Sequence, residues 1–295
     1  MDMLFGTTLV EVELDKDNRM GKTPMMAWVW ASVATLLVHQ ILLDEEPVIR
    51  MLGLVTSLFL TTKVISLFYQ FNQVRKGNLL WLLFWPGMSA QAFRRRRAPN
   101  TILFLKELKK GISFTIAGLM VLWIARNLDF PNVIKVPLVW AGLCFVVHFG
   151  IFSLIRGLYF IGGWRTNRLF DLPWKSKSLS EFWSKRWNGA YIEMLALMCL
   201  RPLKTMIGGR WAVVVCFLIS GLLHEAAISL PVMSGFGGPF LYFCLQAIGV
   251  QIPMDRWPRL FRIAVTWLFV LAPLPLLFHS EFTFRVLFPL TGVSL

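Results

Sequence analysis

The sequence has few charged residues and few of the residues that build metal sites or disulfide frameworks. Charged residues make up 16% of its 295 positions, and it contains four cysteines and four histidines. The cysteines lie far apart, with no C-x-x-C pair, at Cys144, Cys199, Cys216 and Cys244. This spacing predicts neither a disulfide framework nor a zinc site. We interpret the four cysteines as small buried side chains.

Apolar residues are abundant instead. They make up 56% of the chain, and the mean hydropathy is +0.62. Soluble domains contain roughly 45–50% apolar residues. Several apolar runs reach or approach the roughly 20 residues that a helix needs to cross a bilayer. The sequence therefore predicts an all-α, polytopic integral membrane protein, which we treat as a single domain over residues 1–295.

The apolar runs predict about seven transmembrane helices. Their expected positions are 25–43, 48–69, 111–127, 137–161, 211–230, 239–254 and 261–278. Two further apolar segments, 78–93 and 190–208, have cations on both sides. A Pro-Gly pair interrupts the first segment, and the second contains an Arg-Pro pair. We expect both to be re-entrant or interfacial, because irregular backbone at membrane depth must be buried in protein.

The charge of the chain is strongly positive, with 30 Lys+Arg against 16 Asp+Glu. Such an excess suggests nucleic-acid binding in a soluble protein, but here basic and non-basic loops alternate between apolar runs. Because basic loops stay on the cytoplasmic side, the pattern predicts a cytoplasmic N-terminus and no nucleic-acid partner. A polyanionic substrate or an anionic leaflet would also attract these cations. The acidic N-terminus predicts no cleaved signal peptide, and both a bacterial inner membrane and the endoplasmic reticulum suit the pattern.

One histidine lies well inside a predicted span. His224 occurs in CFLISGLLHEAAISLP beside Glu225, and ionisable residues inside membrane helices often mark functional sites. Helical spacing places Ser220, Gly221 and Ala227 on the same face, which leaves room beside the imidazole. A buried histidine that hydrogen-bonds another span is the structural alternative. The second histidine of an H-E-x-x-H motif is absent, so we predict no metal there.

A second notable stretch is SLSEFWSKRWNGAY, residues 178–191. Ser178 and Glu181 have the spacing of a capping box, in which the serine accepts an early helical N–H and the glutamate bonds back to the N–H of the cap residue. The pattern predicts a helix that begins near Leu179.

Aromatic and basic residues follow on this predicted helix. Three aromatic residues recur at a spacing of four and would form one stripe: Trp183, Trp187 and Tyr191. Lys185 and Arg186 add positive charge beside it. An interfacial anchor explains these aromatic and basic residues, but it does not require Asn188.

These two motifs together resemble the wax synthase branch of the membrane-bound O-acyltransferase (MBOAT) family. The matching residues are Ser178, Leu179, Phe182, Trp183, Arg186, Trp187 and Asn188 in the first motif, and Ser220, Gly221, His224 and Glu225 in the second. The resemblance covers roughly the second half of the chain. It implies transfer of an acyl group from a CoA thioester to an alcohol within the membrane.

The resemblance also implies roles for individual residues. His224 would be the catalytic base and Asn188 its partner. The substrate-binding residues would be Trp183, Lys185, Arg186, Trp187, Ser220 and Glu225. Acyl-CoA would be a co-substrate, with no other cofactor, and the other partners would be a lipid alcohol and membrane lipids.

Other functions stay open at this point. Within the family, the acceptor could instead be a sterol, a terpenoid or diacylglycerol. From a different class, a transporter could use His224 and Glu225 as a proton relay, although we find no internal repeat of the kind that many transporters have. A catalytically silent lipid-binding member of the same fold is a third possibility.

Overall fold

The computed structural model describes residues 23–70, 73–254 and 256–294. In this part of the chain the regular structure is helical, without strands. Five helices are long and apolar enough to cross a membrane: Pro47–Gln70, Thr101–Asn127, Asn132–Ile161, Gly209–Val232 and Arg259–Leu277. The prediction of a polytopic helical membrane protein is confirmed. The acidic N-terminal segment, on which the signal-peptide prediction depends, lies outside the described residues.

We number the helices in chain order. They are α1 (Thr23–Ile41), α2 (Pro47–Gln70), α3 (Leu79–Phe84), α4 (Thr101–Asn127), α5 (Asn132–Ile161), α6 (179–186), α7 (189–207), α8 (Gly209–Val232), α9 (Gly238–Gly249), α10 (Arg259–Leu277) and α11 (280–291).

One of the seven predicted spans is shorter than a full crossing. Helix α9 falls below the length of the five long helices. At 1.5 Å per residue the 12 residues of α9 extend about 18 Å, whereas a hydrocarbon core is about 30 Å thick. The third predicted span also begins earlier than residue 111. The side chain of Asn100 accepts the N–H of Leu103 at 2.8 Å and starts α4 at Thr101.

Glycines allow α4 and α5 to pack closely together. A Cβ at Gly118 would lie 2.7 Å from the carbonyl oxygen of Gly142, and one at Gly142 would lie 3.2 Å from the carbonyl of Gly118. Such contacts leave no space for a side chain on either helix. Small residues at helix interfaces are typical of membrane proteins, in which association depends on close packing of the backbones.

The segment predicted at 78–93 contains only the short helix α3 and then runs as a loop against α2. Lys63 of α2 is 0% exposed, and its Nζ donates to the carbonyls of Trp85, at 2.7 Å, and of Gly87. Gln70 of α2 accepts the N–H of Ala90 at 2.8 Å. A buried ammonium group needs such partners to offset its loss of hydration. The loop is therefore fixed to α2, and the segment does not form a helix of crossing length.

The segment predicted at 190–208 is helical almost throughout, as α7. Its middle, Ala196–Leu200, is buried, and it packs along α8. Gly208, with φ of +80°, separates the two helices. On its other side α8 packs against α9, where Phe240 closely approaches Gly221. Helices α7, α8 and α9 thus surround the region that contains His224.

Candidate active site

The first motif forms a capped helix, as the sequence predicts. Ser178 Oγ accepts the N–H of Glu181 at 3.1 Å, and α6 begins at Leu179. The reciprocal bond differs by one residue from the expected capping box. The Glu181 carboxylate accepts the N–H of Lys177 at 2.8 Å rather than that of the cap residue itself. Two N–H groups at the start of α6 are satisfied in this way.

The chain turns sharply between α6 and α7. Trp187 is extended, and Asn188 adopts a left-handed conformation with φ of +51°. The aromatic stripe predicted through Trp183, Trp187 and Tyr191 is therefore wrong, because these residues do not share one helix. Asparagine is one of the few residues other than glycine that visit this conformation readily. The chain needs such a residue where it leaves α6 and enters α7.

The two ends of the Asn188 carboxamide have different surroundings. Its Oδ1 accepts the N–H of Tyr191 at 3.2 Å and caps the start of α7. Its Nδ2 makes no hydrogen bond to any residue that the structure describes. The oxygen thus has a structural role, while the two N–H donors of the amide are available to a ligand.

The hydrogen bond of His224 identifies its tautomer. Its Nδ1 lies 2.7 Å from the carbonyl oxygen of Ser220 in the preceding turn of α8. A carbonyl can only accept, so Nδ1 carries the proton, and in the neutral imidazole Nε2 then carries the lone pair. The structural alternative was a hydrogen bond to another span, but in the described residues the imidazole is bonded within its own helix. The backbone of Ser220 orients the imidazole, while its hydroxyl donates to Cys216 at 3.0 Å and the residue is buried.

Two aromatic rings lie beside the imidazole of His224. The ring centroid of Phe243, on α9, is 4.4 Å away, and that of Tyr191, on α7, is 5.6 Å away. Tyr191 is also the residue whose backbone N–H is capped by Asn188. The structure therefore joins the two sequence motifs through Tyr191. From the sequence this tyrosine was predicted only as part of an aromatic stripe and not as a residue of the site.

Trp183 supports this arrangement from within the protein. Its Nε1 donates to Gln246 Oε1 at 3.0 Å, and its ring lies 5.7 Å from that of Phe243. Gln246 is fully buried, and its amide nitrogen donates to the carbonyl of Phe269 on α10 at 2.7 Å. Trp183 thus fixes α6 against α9 and α10 and supports the ring that contacts His224.

Trp187 belongs to a separate aromatic group. It stacks on Phe182 at a centroid distance of 5.5 Å, and it lies 5.1 Å from Phe170 and 5.3 Å from the ring of His148. His148 is another histidine within a long apolar helix, α5. These contacts bring α5 and α6 together immediately before Asn188.

The two basic residues of the first motif differ in their surroundings. Lys185 is exposed. Arg186 is paired internally, because its Nη2 lies 2.6 Å from Glu181 Oε1 and its Nη1 donates to the carbonyl of Asp171 at 3.2 Å. Burial opposes ionisation of Glu181, but the Lys177 N–H and Arg186 outweigh it, so the pKa of this carboxyl lies below its ordinary value. The charge of Arg186 is therefore already compensated.

Glu225 anchors the turn before α9. Its Oε1 accepts the N–H groups of Gly237 at 2.9 Å and Phe240 at 3.0 Å. In the described residues no hydrogen bond joins this carboxylate to His224. The turn leads into α9 and so places Phe243 against the imidazole. This geometry gives Glu225 a positioning role.

Both candidate residues adjoin π-helical turns. The turn Phe182–Arg186 ends two residues before Asn188, and the turn Glu225–Ser229 begins directly after His224. Such turns interrupt the regular ladder of hydrogen bonds and occur often at functional sites. Their positions are consistent with a site between α6, α7 and α8.

Comparison with known proteins relates this region to a family of membrane enzymes. Residues 165–245, about a quarter of the chain, match the model of the membrane bound O-acyl transferase family. This match includes Asn188 and His224. A long-chain-alcohol O-fatty-acyltransferase from Simmondsia chinensis is 34% identical over 64 residues, which span 19% of this chain and 18% of that protein. Over these parts of its length the chain is similar to membrane O-acyltransferases.

Proposed function

We propose that the protein is an acyl-CoA-dependent O-acyltransferase that esterifies a long-chain alcohol within the membrane, and thus a wax ester synthase. The observation that supports this proposal most strongly is the position of His224. It lies in a helix that is long and apolar enough to cross a membrane, its Nδ1 is bonded to a carbonyl, and its Nε2 is left to act as a base. The match to the acyltransferase family includes this residue.

The proposed reaction needs a base because an alcohol is a poor nucleophile at neutral pH. His224 Nε2 would accept the hydroxyl proton as the alcohol oxygen forms a bond to the thioester carbonyl carbon. When the resulting tetrahedral intermediate collapses, the carbon–sulfur bond breaks and the departing thiolate of CoA takes the proton from the imidazolium, which gives the free thiol. The balance is one ester and one free CoA, with no covalent acyl-enzyme.

Asn188 would assist the same step through its amide nitrogen. In the tetrahedral intermediate the former carbonyl oxygen carries negative charge, and a fixed N–H donor stabilises it. The oxygen of the same carboxamide is held by the N–H of Tyr191, which limits rotation of the amide. The amide is thus oriented before the substrate binds.

The rings next to His224 would favour the alcohol over water as the nucleophile. Phe243 and Tyr191 contact the imidazole, and apolar neighbours exclude water from a reacting thioester. The bilayer would deliver the alcohol, while the acyl-CoA headgroup would approach from the aqueous side. A long-chain acceptor is also what the name of the similar Simmondsia protein describes.

Product analysis tests the proposal. Purified protein is reconstituted in nanodiscs and incubated with a long-chain acyl-CoA and an equimolar mixture of a long-chain alcohol, a sterol, a terpenoid alcohol and diacylglycerol. We expect release of CoA only when an acceptor is present, and mass spectrometry should identify the wax ester. A sterol or glycerol ester instead would contradict the proposed acceptor. Ion or solute flux in liposomes without any ester would contradict the enzyme class.

A further inference from the structure

An arginine-rich basin lies outside the residues assigned to the candidate active site. It is an open cavity of about 770 Å³ lined by the run Arg94–Arg97, by Arg165 and by Asn167. The four arginines of the run are exposed. Neither sequence motif includes these residues.

The positive charge of the basin is not compensated within the described part of the chain. Arg96 Nε donates to the carbonyl of Gly162, and Arg165 Nη2 donates to the carbonyl of Ala98, each at 2.8 Å. These partners are neutral. The described ion pairs involve other arginines, namely Arg156, Arg168, Arg186 and Arg285. Five guanidinium groups around one cavity create a strong local field that attracts anions.

The walls of the basin are fixed by buried packing. Phe93, immediately before the arginine run, is 0% exposed and lies 5.2 Å from the ring of Trp164, immediately before Arg165. Arg97 donates its backbone N–H to the carbonyl of Gly163 at 2.9 Å. Gly163 has φ of +84°, and a Cβ there would overlap the Arg97 carbonyl. The two arginine-bearing segments are therefore held together before any ligand binds.

A chain of polar contacts connects the basin with the candidate active site. Asn167, on the basin wall, donates to Glu193 Oε1 at 3.4 Å. Glu193 lies on α7 and also accepts the N–H groups of Met88 and Ser89, at 2.8 and 2.9 Å. The same helix begins at the Asn188 cap and presents Tyr191 to His224. One helix thus contacts the basin residue Asn167 and the candidate base.

We propose that this basin binds clustered phosphate groups, which the CoA headgroup of the acyl donor supplies. Guanidinium groups match phosphate oxygens with paired hydrogen bonds, and several of them suit a ligand with several phosphates. CoA has a pyrophosphate and a separate ribose phosphate on a long, flexible arm that ends in the thioester. The assignment of the donor rests on the proposed function. In this proposal the main cationic contact of CoA lies at the basin and not at Arg186, whose charge is already paired within the protein.

The test measures binding rather than turnover. The His224→Ala protein, in nanodiscs of neutral lipid, is titrated calorimetrically with CoA, dephospho-CoA and pantetheine. We expect affinity to fall in that order as phosphates are removed, and to weaken at high salt because exposed charges are screened. Replacing Arg94 and Arg95 with glutamine removes two charges without breaking any described hydrogen bond. This double variant should weaken CoA binding at least tenfold, because the loss of one hydrogen bond to a charged group raises a dissociation constant by about tenfold or more.

The matched control is Arg256→Gln with Arg259→Gln, which removes two exposed arginines outside the basin. This control should bind CoA as the parent does. Unchanged CoA binding by the Arg94 and Arg95 variant would overturn the CoA assignment.

A second arm separates a lipid source of phosphate from CoA. Native mass spectrometry measures retention of phosphatidic acid by the parent and by the Arg94 and Arg95 variant. If the variant retains less lipid but binds CoA as the parent does, the ligand of the basin is a lipid headgroup and not CoA. If neither lipid retention nor CoA affinity changes, the phosphate site is refuted. Neither binding result depends on ester formation. If the protein forms the ester but the basin arginines affect neither CoA nor lipid binding, the phosphate site is refuted and the proposed function is not.

Discussion

Replacing Asn188 by aspartate, glycine and alanine separates its backbone role from its proposed chemical role. The residue holds a left-handed conformation, caps α7 through Oδ1 and leaves its Nδ2 without a partner in the described chain. Aspartate retains the cap and tolerates the conformation but lacks the amide donor. Glycine retains only the conformation, and alanine retains none of the three features.

The effects on stability follow from these geometries. Alanine should lose a cap worth about 0.5–2 kcal/mol and incur left-handed strain of about 1–2 kcal/mol. Glycine in place of a capping residue costs only a few tenths of a kcal/mol. Thermal unfolding of the protein in nanodiscs should therefore rank wild type and Asn188→Asp highest, Asn188→Gly slightly lower and Asn188→Ala lowest.

The effects on turnover should follow a different order. If the amide nitrogen stabilises the oxyanion, each of the three variants loses the donor. Loss of one such donor reduces kcat about 10²–10³-fold in enzymes where it has been measured. Asn188→Asp should therefore be as stable as wild type but slow in alcohol-dependent release of CoA. Wild-type turnover by the aspartate and glycine variants would refute the reasoning and leave Asn188 as a helix cap only.

Two further predictions concern the surrounding structure. Glu225→Gln retains an acceptor for the two backbone N–H groups of the turn before α9 and should keep most activity. Glu225→Ala leaves these N–H groups unpaired and should destabilise the protein by about 1–3 kcal/mol. Loss of activity in the glutamine variant would instead support a proton relay. Gly118→Ala should lower the unfolding temperature, because its Cβ would lie 2.7 Å from the carbonyl of Gly142 and overpacking costs about 1–3 kcal/mol. The matched Gly157→Ala, whose Cβ would make ordinary contacts of 3.4 Å or more, should be neutral or stabilising, and equal effects of the two alanines would contradict this packing.

The features that could be predicted from the sequence are those that depend on local pattern. Long apolar runs marked the crossing helices, and the Ser178 and Glu181 spacing marked the start of α6. The beginning of α4 was misplaced because charged residues at 106–110 interrupt its apolar sequence, although Asn100 is a common type of cap residue. The limits of a helix depend on such caps as well as on hydropathy.

The features that could not be predicted depend on irregular backbone. The left-handed turn at Asn188 divides what looked like one helix, so Trp183 and Tyr191 lie on different elements. Glu181 and Arg186 are five residues apart, beyond the spacing of three or four at which side chains meet on an α-helix. They meet because the π-helical turn Phe182–Arg186 changes that spacing.

Contacts between distant elements are a further limit. No local pattern indicates that Tyr191 of α7 lies between Asn188 and His224, or that Arg165 joins the run Arg94–Arg97. The cationic substrate contact was predicted at Lys185 and Arg186 because they lie within the first motif. The structure pairs Arg186 with Glu181 and gathers other arginines elsewhere.

Ester formation by the His224→Ala variant tests the central claim most directly. Isotope-labelled acyl-CoA and a long-chain alcohol are supplied to wild type, His224→Ala and the control His39→Ala, which changes a histidine of α1 outside the site. Folding of each variant is checked by thermal unfolding. The account predicts labelled ester from wild type and His39→Ala, and a loss of at least 10²-fold from His224→Ala, as expected when a general base is removed. Wild-type ester formation by a folded His224→Ala protein would contradict it.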